Sequence, residues 1–291
     1  MIVSKYEKDG VLLLAGENDY IRFEIAPSLG GKLTSVYNKE LKKEFLWHNN
    51  QLALSINNQG ADYDENFWGG IDELLPNDIP EKVDGIGYPD HGELWTTQLQ
   101  YEINEDRILV FGRLEKSGLY YSKSIALQAD SPKIKLSYCL RNESEFTRHF
   151  LWKLHAALKI ERGDRLISNA KKAKVVYPES SRFSLSEEFE WPMVEGVDAA
   201  IVPEKDMTMD FFYLYEASEG KMGLLSENGN HLFLYEYDQR IFPFQWYFAS
   251  YGKFRDHYTA ILEPASAMPV SVNEAAEKQQ CSVLKPAQEI N

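Results

Sequence analysis

The sequence has little cysteine, little positive charge and no long apolar run. Its 291 residues include two cysteines, Cys139 and Cys281, which stand in no CxxC or Cys/His spacing. This usage argues against a disulfide framework or a metal site and favours buried thiols in a cytoplasmic protein. The formal net charge is −14, which argues against nucleic acid or an anionic membrane as a partner.

The pattern at the N-terminal region is not typical of a targeting segment. Its apolar run extends only from Val11 to Ala15, with acidic residues on both sides. A membrane-spanning helix needs about 20 apolar residues. We therefore expect neither a signal peptide nor a membrane span, which by default predicts the cytoplasm.

Period-two alternation of apolar residues is the dominant pattern, and it is typical of strands. The best helical signal is "SVNEAAEKQQ", where Ser271 and Glu274 have the spacing of a capping box. No linker divides the chain, so we predict a single domain over residues 1–291, an all-β protein built as a large antiparallel β-sandwich with few short helices. The strand-like runs are 20–26, 107–115, 120–128, 133–142, 231–239 and 257–264.

The segment "NFWGGIDELLPN" (66–77) interrupts the strand pattern with two glycines and two acids. We interpret it as a loop. One interpretation places the Trp68 ring and the carboxylates of Asp72 and Glu73 at a ligand. The other puts Trp68 in the core and leaves the acids in solvent, and the segment by itself favours this structural interpretation.

The segment "GYPDHGELW" (87–95) contains a histidine followed by glycine. Gly92 leaves the backbone beside the His91 ring uncrowded, so a ligand could approach closely. Trp95 offers an apolar platform of the kind that packs on a sugar ring. A single histidine in a loop is more often without a special role.

The segment "RHFLWKLHAAL" (148–158) predicts a strand with a polar stripe. Alternation puts His149, Leu151, Lys153 and His155 on one face. Histidine has an unperturbed pKa of about 6.5, which suits proton transfer near neutrality. The alternative is an imidazole bonded to a backbone carbonyl.

The segment "HYTAILEP" carries one carboxylate, Glu263, at a predicted strand end where Pro264 stops the ladder. Nearby aromatic rings, Phe244, Trp246 and Phe248, could desolvate the acid. Desolvation raises the pKa of a carboxylate toward the range that a general base needs. The alternative is an exposed acid at a strand end.

Taken in order, these segments resemble the aldose 1-epimerase (galactose mutarotase-like) family. "ILEPASAMPVSVNEAAEKQQ" and "VLKPAQEI" are similar to the family's Glu-Pro-x-x-x-x-Pro, helix and closing strand. "PDHGELW" is similar to its His-Gly motif, and "WKLHAAL" to its strand with a second histidine. "GGIDELLPN" and "APSLGGKLTSVYNKE" are similar to a family loop and opening. The resemblance covers roughly Tyr20 to Ile290.

The resemblance implies a sugar in an open cleft and a mechanism without cofactor or metal. Carried over by motif, Glu263 is the base that takes the proton from the anomeric hydroxyl, and His155 is the acid that protonates the ring oxygen. His91 would hold the ring-oxygen side, and Asp210, in "MTMDFFYLYE", is similar in place to an aspartate that binds sugar hydroxyls. Further candidates for substrate binding are Trp68, Trp95 and Trp246, by stacking, and Asp72 and Glu73.

Two functions remain open at this level: a mutarotase acting on a neutral sugar, and a non-catalytic carbohydrate-binding or sensing sandwich. A hexose 6-phosphate substrate is less favoured because no basic group is clearly placed for it; Arg22, Arg113 and Arg148 have no evident partner role. A hydrolase would need a second carboxylate near Glu263. We expect a carbohydrate as the partner and a monomer or homodimer, and we interpret residues 183–207 as a specificity loop.

Overall fold

Strands make up most of the regular structure in the computed structural model, which describes residues 1–185 and 187–291. Position 186, inside the predicted specificity loop, lies outside the described residues. Contacts divide the chain into unit 1, residues 1–152 with 269–291, and unit 2, residues 153–268. The single domain over residues 1–291 stays a prediction.

Residues 1–152 form most of unit 1, and their strands pair in antiparallel fashion. One set of neighbouring strands runs in the order β1-β2-β3-β4-β6, with β5 beside β4, and a second sheet contains β12-β11-β10-β9. Two short 3-10 helices, Pro27–Leu29 and Leu94–Thr96, lie between strands. The strands are β1 (Ile2–Lys8), β2 (Val11–Glu17), β3 (Ile21–Ala26), β4 (Lys32–Asn38), β5 (Lys43–Glu44), β6 (Ile71–Leu74), β7 (Glu81–Val83), β8 (Ile86–Tyr88), β9 (Gln100–Ile103), β10 (Arg107–Arg113), β11 (Leu119–Leu127), β12 (Ile134–Asn142) and β13 (Arg148–Phe150).

Unit 2 contains neighbouring antiparallel strands in the order β14-β24-β23-β20-β16-β17. Smaller sheets pair β15 with β21 and β22, and β18 with β19. The strands are β14 (Lys153–Lys159), β15 (Arg165–Ser168), β16 (Lys172–Val175), β17 (Glu188–Glu190), β18 (Met193–Val194), β19 (Val197–Asp198), β20 (Thr208–Tyr215), β21 (Lys221–Leu225), β22 (Leu232–Glu236), β23 (Phe244–Tyr251) and β24 (Tyr258–Ala265).

The C-terminal residues return to unit 1 as a helix and two short strands. Helix α1 (Val272–Glu277) begins after Ser271, whose hydroxyl accepts a hydrogen bond from the backbone N–H of Glu274 at 3.2 Å. Strand β25 (Ser282–Leu284) pairs with β13, and β26 (Glu289–Ile290) pairs with β12. The predicted helix and its cap are confirmed. In the described part of the chain, no helix has the length and apolar content to cross a membrane.

The all-β prediction is confirmed, and each of the six predicted runs overlaps one strand: β3, β10, β11, β12, β22 and β24. Apolar side chains on alternate positions of these runs are buried, as in β10 and β11. Burial of one face of a sheet is the main stabilising contribution such strands make.

The interpretation of residues 66–77 as a loop is wrong in its central part, because Ile71–Leu74 forms the buried strand β6. Ile71 pairs with Leu33 of β4. A Cβ at Gly70 would lie 2.6 Å from the Leu33 carbonyl oxygen, and Gly70 has a φ of +82°. Gly70 therefore allows β6 to pack beside β4, and it does not mark the end of a strand.

Candidate active site

The register of three strands in unit 2 places the proposed base and acid on one face of the sheet. Glu263 of β24 pairs with Trp246 of β23. On the other side of β24, Lys153 pairs with Ala265 and Ala156 with Leu262. The register is the same at both of these pairs, so His155 lies across from Glu263, and directly opposed residues of antiparallel strands share a face.

Lys153 contacts the Glu263 carboxylate within this face. Its Nζ lies 2.6 Å from Glu263 Oε2, and each of the two side chains is 3% exposed. The same ammonium lies 4.5 Å from the centroid of the Trp246 ring. A nearby cation favours the ionised form of a carboxylate, which is the form a general base needs.

Sequence reasoning did not include Lys153 in the site, although alternation had placed it on the polar stripe of His155. The stripe itself is shorter than predicted. Strand β13 ends at Phe150 and β14 begins at Lys153. His149 therefore lies on a different strand from His155, and its Nδ1 contacts Asp84 at 2.9 Å.

Glu263 does not end its strand. Strand β24 continues to Ala265, and Pro264 pairs with Gln245 of β23. The predicted stop at Pro264 is wrong, and Glu263 projects from the interior of a sheet where it is buried. His155 is buried as well.

Trp246 is fully buried, so the structure offers no face of its ring for stacking on a sugar. Its Nε1 donates a hydrogen bond to the Ala267 carbonyl at 3.1 Å. The prediction that Trp246 stacks on substrate is therefore wrong. Its ring instead makes a cation–π contact with the Lys153 ammonium.

Asp210 lies on the opposite face of the unit 2 sheet from Glu263. It pairs with Ala249 of β23, whereas Glu263 pairs with Trp246 of the same strand. Ala249 and Trp246 are an odd number of residues apart, so their side chains point to opposite faces. The placement of Asp210 in the sugar site is therefore corrected.

The surroundings of Asp210 satisfy its carboxylate within the protein. Arg182 donates from Nε to Asp210 Oδ2 at 2.8 Å and also from its Nη2, and Ser181 Oγ donates at 3.2 Å. Burial raises the pKa of Asp210, and the bonds from Arg182 oppose this shift. The guanidinium also lies 4.9 Å from the Tyr251 ring centroid. These contacts describe an internal ion pair.

Glu73 of unit 1 also forms an internal ion pair. Lys123 Nζ lies 2.7 Å from its Oε2, and both side chains are 0% exposed. Tyr138 donates to Oε1 at 2.8 Å, and Lys123 donates also to the Gly31 carbonyl at 2.5 Å. Burial raises the pKa of Tyr121, and the charge of Glu73 adds to that shift. The alternative that Glu73 lies in solvent is wrong, and a role of Glu73 in substrate binding stays a prediction.

Asp72 is buried beside Glu73 in the chain but belongs to a different set of contacts. Lys32 Nζ donates to Asp72 Oδ2 at 2.8 Å, and the Tyr63 hydroxyl donates to the same oxygen at 2.8 Å. The Tyr63 ring is stacked on His91, with 4.1 Å between centroids and 9° between planes, and lies edge-on to Trp95 at 5.0 Å. Three predicted substrate ligands thus contact one tyrosine that sequence reasoning missed.

His91 has a left-handed backbone, with a φ of +55°. Its Nδ1 lies 3.0 Å from Asp90 Oδ1, and its backbone N–H donates to the Asp78 carbonyl at 2.6 Å. A Cβ at Gly92 would lie 2.2 Å from the Leu75 carbonyl oxygen. The glycine after His91 is therefore required by the backbone of Leu75, and approach of a ligand to His91 stays a prediction.

Trp68 and Trp95 line one shallow cleft of unit 1. Lys32, Tyr63 and Asn66 also line it. Trp68 stacks on His48 with 4.3 Å between centroids. It also packs in the core with Val11, Leu13, Ala26, Leu29 and Leu54. The residues that the structure describes include no group of three or more His, Cys, Asp or Glu side chains that could hold a metal ion.

Comparison with solved structures identifies the architecture. A galactose mutarotase-like protein from Clostridium acetobutylicum matches with a TM-score of 0.69 and 14% identity, over 99% of this chain and 96% of that one. A galactose mutarotase-related enzyme from Lactobacillus acidophilus matches with a TM-score of 0.67 and 13% identity, over 99% and 94%. A Klebsiella pneumoniae protein named as a proposed aldose 1-epimerase matches with a TM-score of 0.72 and 14% identity, over 96% and 77%.

This chain has the galactose mutarotase-like fold. No model of a known protein family matches it, and no curated protein does. At 13–14% identity the similarity concerns the fold alone, and a fold of this kind does not fix a reaction.

Proposed function

We propose that the protein is an aldose 1-epimerase-like enzyme that interconverts the α and β anomers of a neutral sugar, with Glu263 as base and His155 as acid. The observation that carries this proposal is the register that sets both residues on one face of neighbouring strands. Such strands lie about 4.8 Å apart, a separation at which two side chains can act on one C1–O5 unit.

Each side chain then has a defined task. Glu263 removes the proton of the anomeric hydroxyl while His155, protonated, delivers its proton to the ring oxygen. The C1–O5 bond breaks and leaves a C1 aldehyde and a hydroxyl. After rotation about C1–C2, the hydroxyl attacks either face of the aldehyde. His155 then takes the proton of that hydroxyl, and Glu263 returns its proton to the oxygen on C1.

Lys153 is a positioning residue in this proposal. Its contact with Glu263 Oε2 holds the carboxylate and favours its ionised form. General acid–base catalysis of this kind contributes typically about 10²–10⁴-fold for each group. The proposed chemistry therefore accounts for an acid, a base and a buried cation on one face of two neighbouring strands.

The buried lysines favour a neutral sugar over a hexose 6-phosphate. Lys32, Lys123 and Lys153 are the lysines buried among the described residues. Each of them contacts a carboxylate of its own unit: Asp72, Glu73 and Glu263, respectively. A phosphate would have to compete with these carboxylates for its positive partners.

Burial supports a second candidate, a non-catalytic carbohydrate-binding protein. Glu263, His155 and Lys153 are all more than nine-tenths buried, and the carboxylate already has a cationic partner. The same burial and the same contacts would be found if Lys153 and Glu263 were a structural ion pair and His155 were hydrogen-bonded within the protein. Catalysis requires that a sugar reach these groups.

Polarimetry separates the two candidates. Freshly dissolved α-anomers of a broad panel of neutral aldoses, including glucose and galactose, are followed with wild-type protein and with Glu263→Gln. We expect the wild type to accelerate the change in rotation for at least one sugar, and Glu263→Gln to lose about 10²-fold or more of that acceleration. Absence of acceleration over the whole panel, with binding retained, would support the binding protein.

A further inference from the structure

A long segment of unit 1, residues 49–68, contains no strand or helix. It is closed at its base, where His48 bridges to Gly69 and the Asn49 N–H donates to the Trp68 carbonyl at 2.8 Å. Loops of this length without secondary structure are uncommon in compact proteins and often form binding loops or lids. The length of this loop therefore suggests a role in addition to connecting two strands.

Few side chains of this loop are buried, and Tyr63 is one of them whose side chain donates a hydrogen bond to a buried carboxylate. The buried residues of 49–68 are Leu54, Tyr63, Phe67 and Trp68. A loop with few buried anchors opens at a lower free energy than the sheet around it. Displacement of the Tyr63 side chain is therefore less costly than displacement of a strand.

The partners of Tyr63 are the kinds of group that recognise a hydroxylated ring. One face of the phenol is stacked on His91 at 4.1 Å, an edge contact at 5.0 Å is made with Trp95, and the hydroxyl donates to Asp72 at 2.8 Å. Sugars are bound by aromatic platforms and by carboxylates that accept their O–H bonds. The phenol thus satisfies the partners that a sugar would use.

We propose that Tyr63 is a specificity-determining gate: its phenol occupies the position of a sugar ring between His91, Trp95 and Asp72, and a ligand binds there by displacing it. This inference takes its ligand class, a neutral monosaccharide, from the proposed function. The loop 49–68 carries the gate, and the closed state is the one described by the structure.

A gate of this kind lowers the apparent affinity for every ligand by the fraction of molecules in which it is open. Only sugars that replace both the stacking contact and the hydrogen bond to Asp72 recover the cost of displacing the phenol. Removing the hydroxyl takes away a hydrogen bond to a charged group, and removing the ring takes away the stack as well. The affinity for a sugar should therefore rise once when the Tyr63 hydroxyl is removed and again when the whole ring is removed.

Equilibrium binding tests the gate without reference to turnover. Anomerically equilibrated monosaccharides are titrated by calorimetry into wild type, Tyr63→Phe and Tyr63→Ala. The matched control is Tyr88→Ala, which removes another tyrosine of unit 1 that is 5% exposed, compared with 3% for Tyr63. Thermal unfolding of each variant is measured in parallel to confirm that the protein is folded.

We expect at least one sugar to bind Tyr63→Phe about tenfold more tightly than wild type and Tyr63→Ala more tightly still, with Tyr88→Ala unchanged. Equal or weaker binding by both Tyr63 variants would overturn the gate, as would an absence of binding to every variant. If Tyr63→Ala does not fold, Tyr63→Phe alone decides. Tighter binding without any mutarotation by wild type would leave the gate in place and overturn the proposed reaction.

Discussion

Two buried lysine–glutamate pairs, one in each unit, have almost the same geometry and different surroundings. Lys123 and Glu73 lie 2.7 Å apart with 0% exposure, and Lys153 and Glu263 lie 2.6 Å apart with 3% exposure. Glu73 accepts a second bond from Tyr138. Glu263 instead lies opposite His155 of the neighbouring strand β14, on the same face of the sheet.

A buried ion pair therefore does not by itself indicate function. Desolvating two charges costs several kcal/mol, and their attraction offsets this only with good geometry. Both pairs meet that condition. What distinguishes Lys153–Glu263 is a histidine on the same face of the neighbouring strand, because an imidazole is a group that can exchange a proton with a bound molecule beside the carboxylate.

The largest expected effect concerns the unit 1 pair. Lys123→Met leaves the Glu73 carboxylate buried without its cation, so the free energy of unfolding should fall by about 3–5 kcal/mol. Denaturant unfolding monitored by tryptophan fluorescence measures this. The activity per folded molecule should stay near that of wild type. A loss below about 1 kcal/mol would mean that this pair is not the structural one.

A smaller loss of stability is expected on the other face of the unit 2 sheet. Asp210→Asn removes the charged acceptor of Arg182, and a hydrogen bond to a charged group contributes about 1.5–3 kcal/mol. Because Asp210 does not share a face with Glu263, the rate of anomer exchange should change by less than about threefold, equivalent to about 0.7 kcal/mol. A rate loss as large as that of Glu263→Gln would return Asp210 to the site.

Replacement of the positioning cation should change rate more than binding. Lys153→Arg keeps the charge but substitutes a larger, planar group in a buried position. We expect kcat to fall about tenfold with KM changed by less than about threefold, since the effect acts through the Glu263 carboxylate. Lys172→Arg, at a partly exposed pair with Glu188, is the matched control. Equal kinetics for the two variants would argue against a role for Lys153.

The smallest effect is a pH dependence of stability in unit 2. Burial, with Arg255 second, lowers the pKa of His257 from its ordinary value of 6.5. The unfolded state therefore takes up the proton first as the pH falls. The contribution of His257 to stability is present above pH 6.5 and is lost below it, down through the folded-state pKa. His257→Gln should flatten the unfolding free energy in that window, and an unchanged slope would contradict the assignment.

Much of the fold was predictable because alternation reports directly on strands. The runs that became β10, β11 and β12 follow one another with short turns, so local pattern was sufficient. The helix after Ser271 was predictable from its cap. The strand β6 was not, because Gly70 is required by the backbone of Leu33, which is distant in the sequence.

The site was predictable only where one strand carries the information. Alternation placed Lys153 and His155 on the same face, yet the partner of Lys153 lies on β24 and is fixed by register. The same reason defeats the interpretation of Asp210, whose face depends on its pairing with Ala249. Tyr63 gave no signal, since its contacts with His91 and Asp72 arise from an irregular loop.

Exchange NMR of anomeric protons shows whether Glu263 and His155 catalyse the exchange of anomers. Two-dimensional exchange spectra of equilibrated aldoses are recorded with wild type, Glu263→Gln, His155→Gln and, as a control, the exposed substitution Glu188→Gln. We expect cross-peaks between the α and β signals of at least one sugar with wild type and Glu188→Gln, and their loss with the other two variants. Cross-peaks of undiminished intensity in both Glu263→Gln and His155→Gln would contradict it.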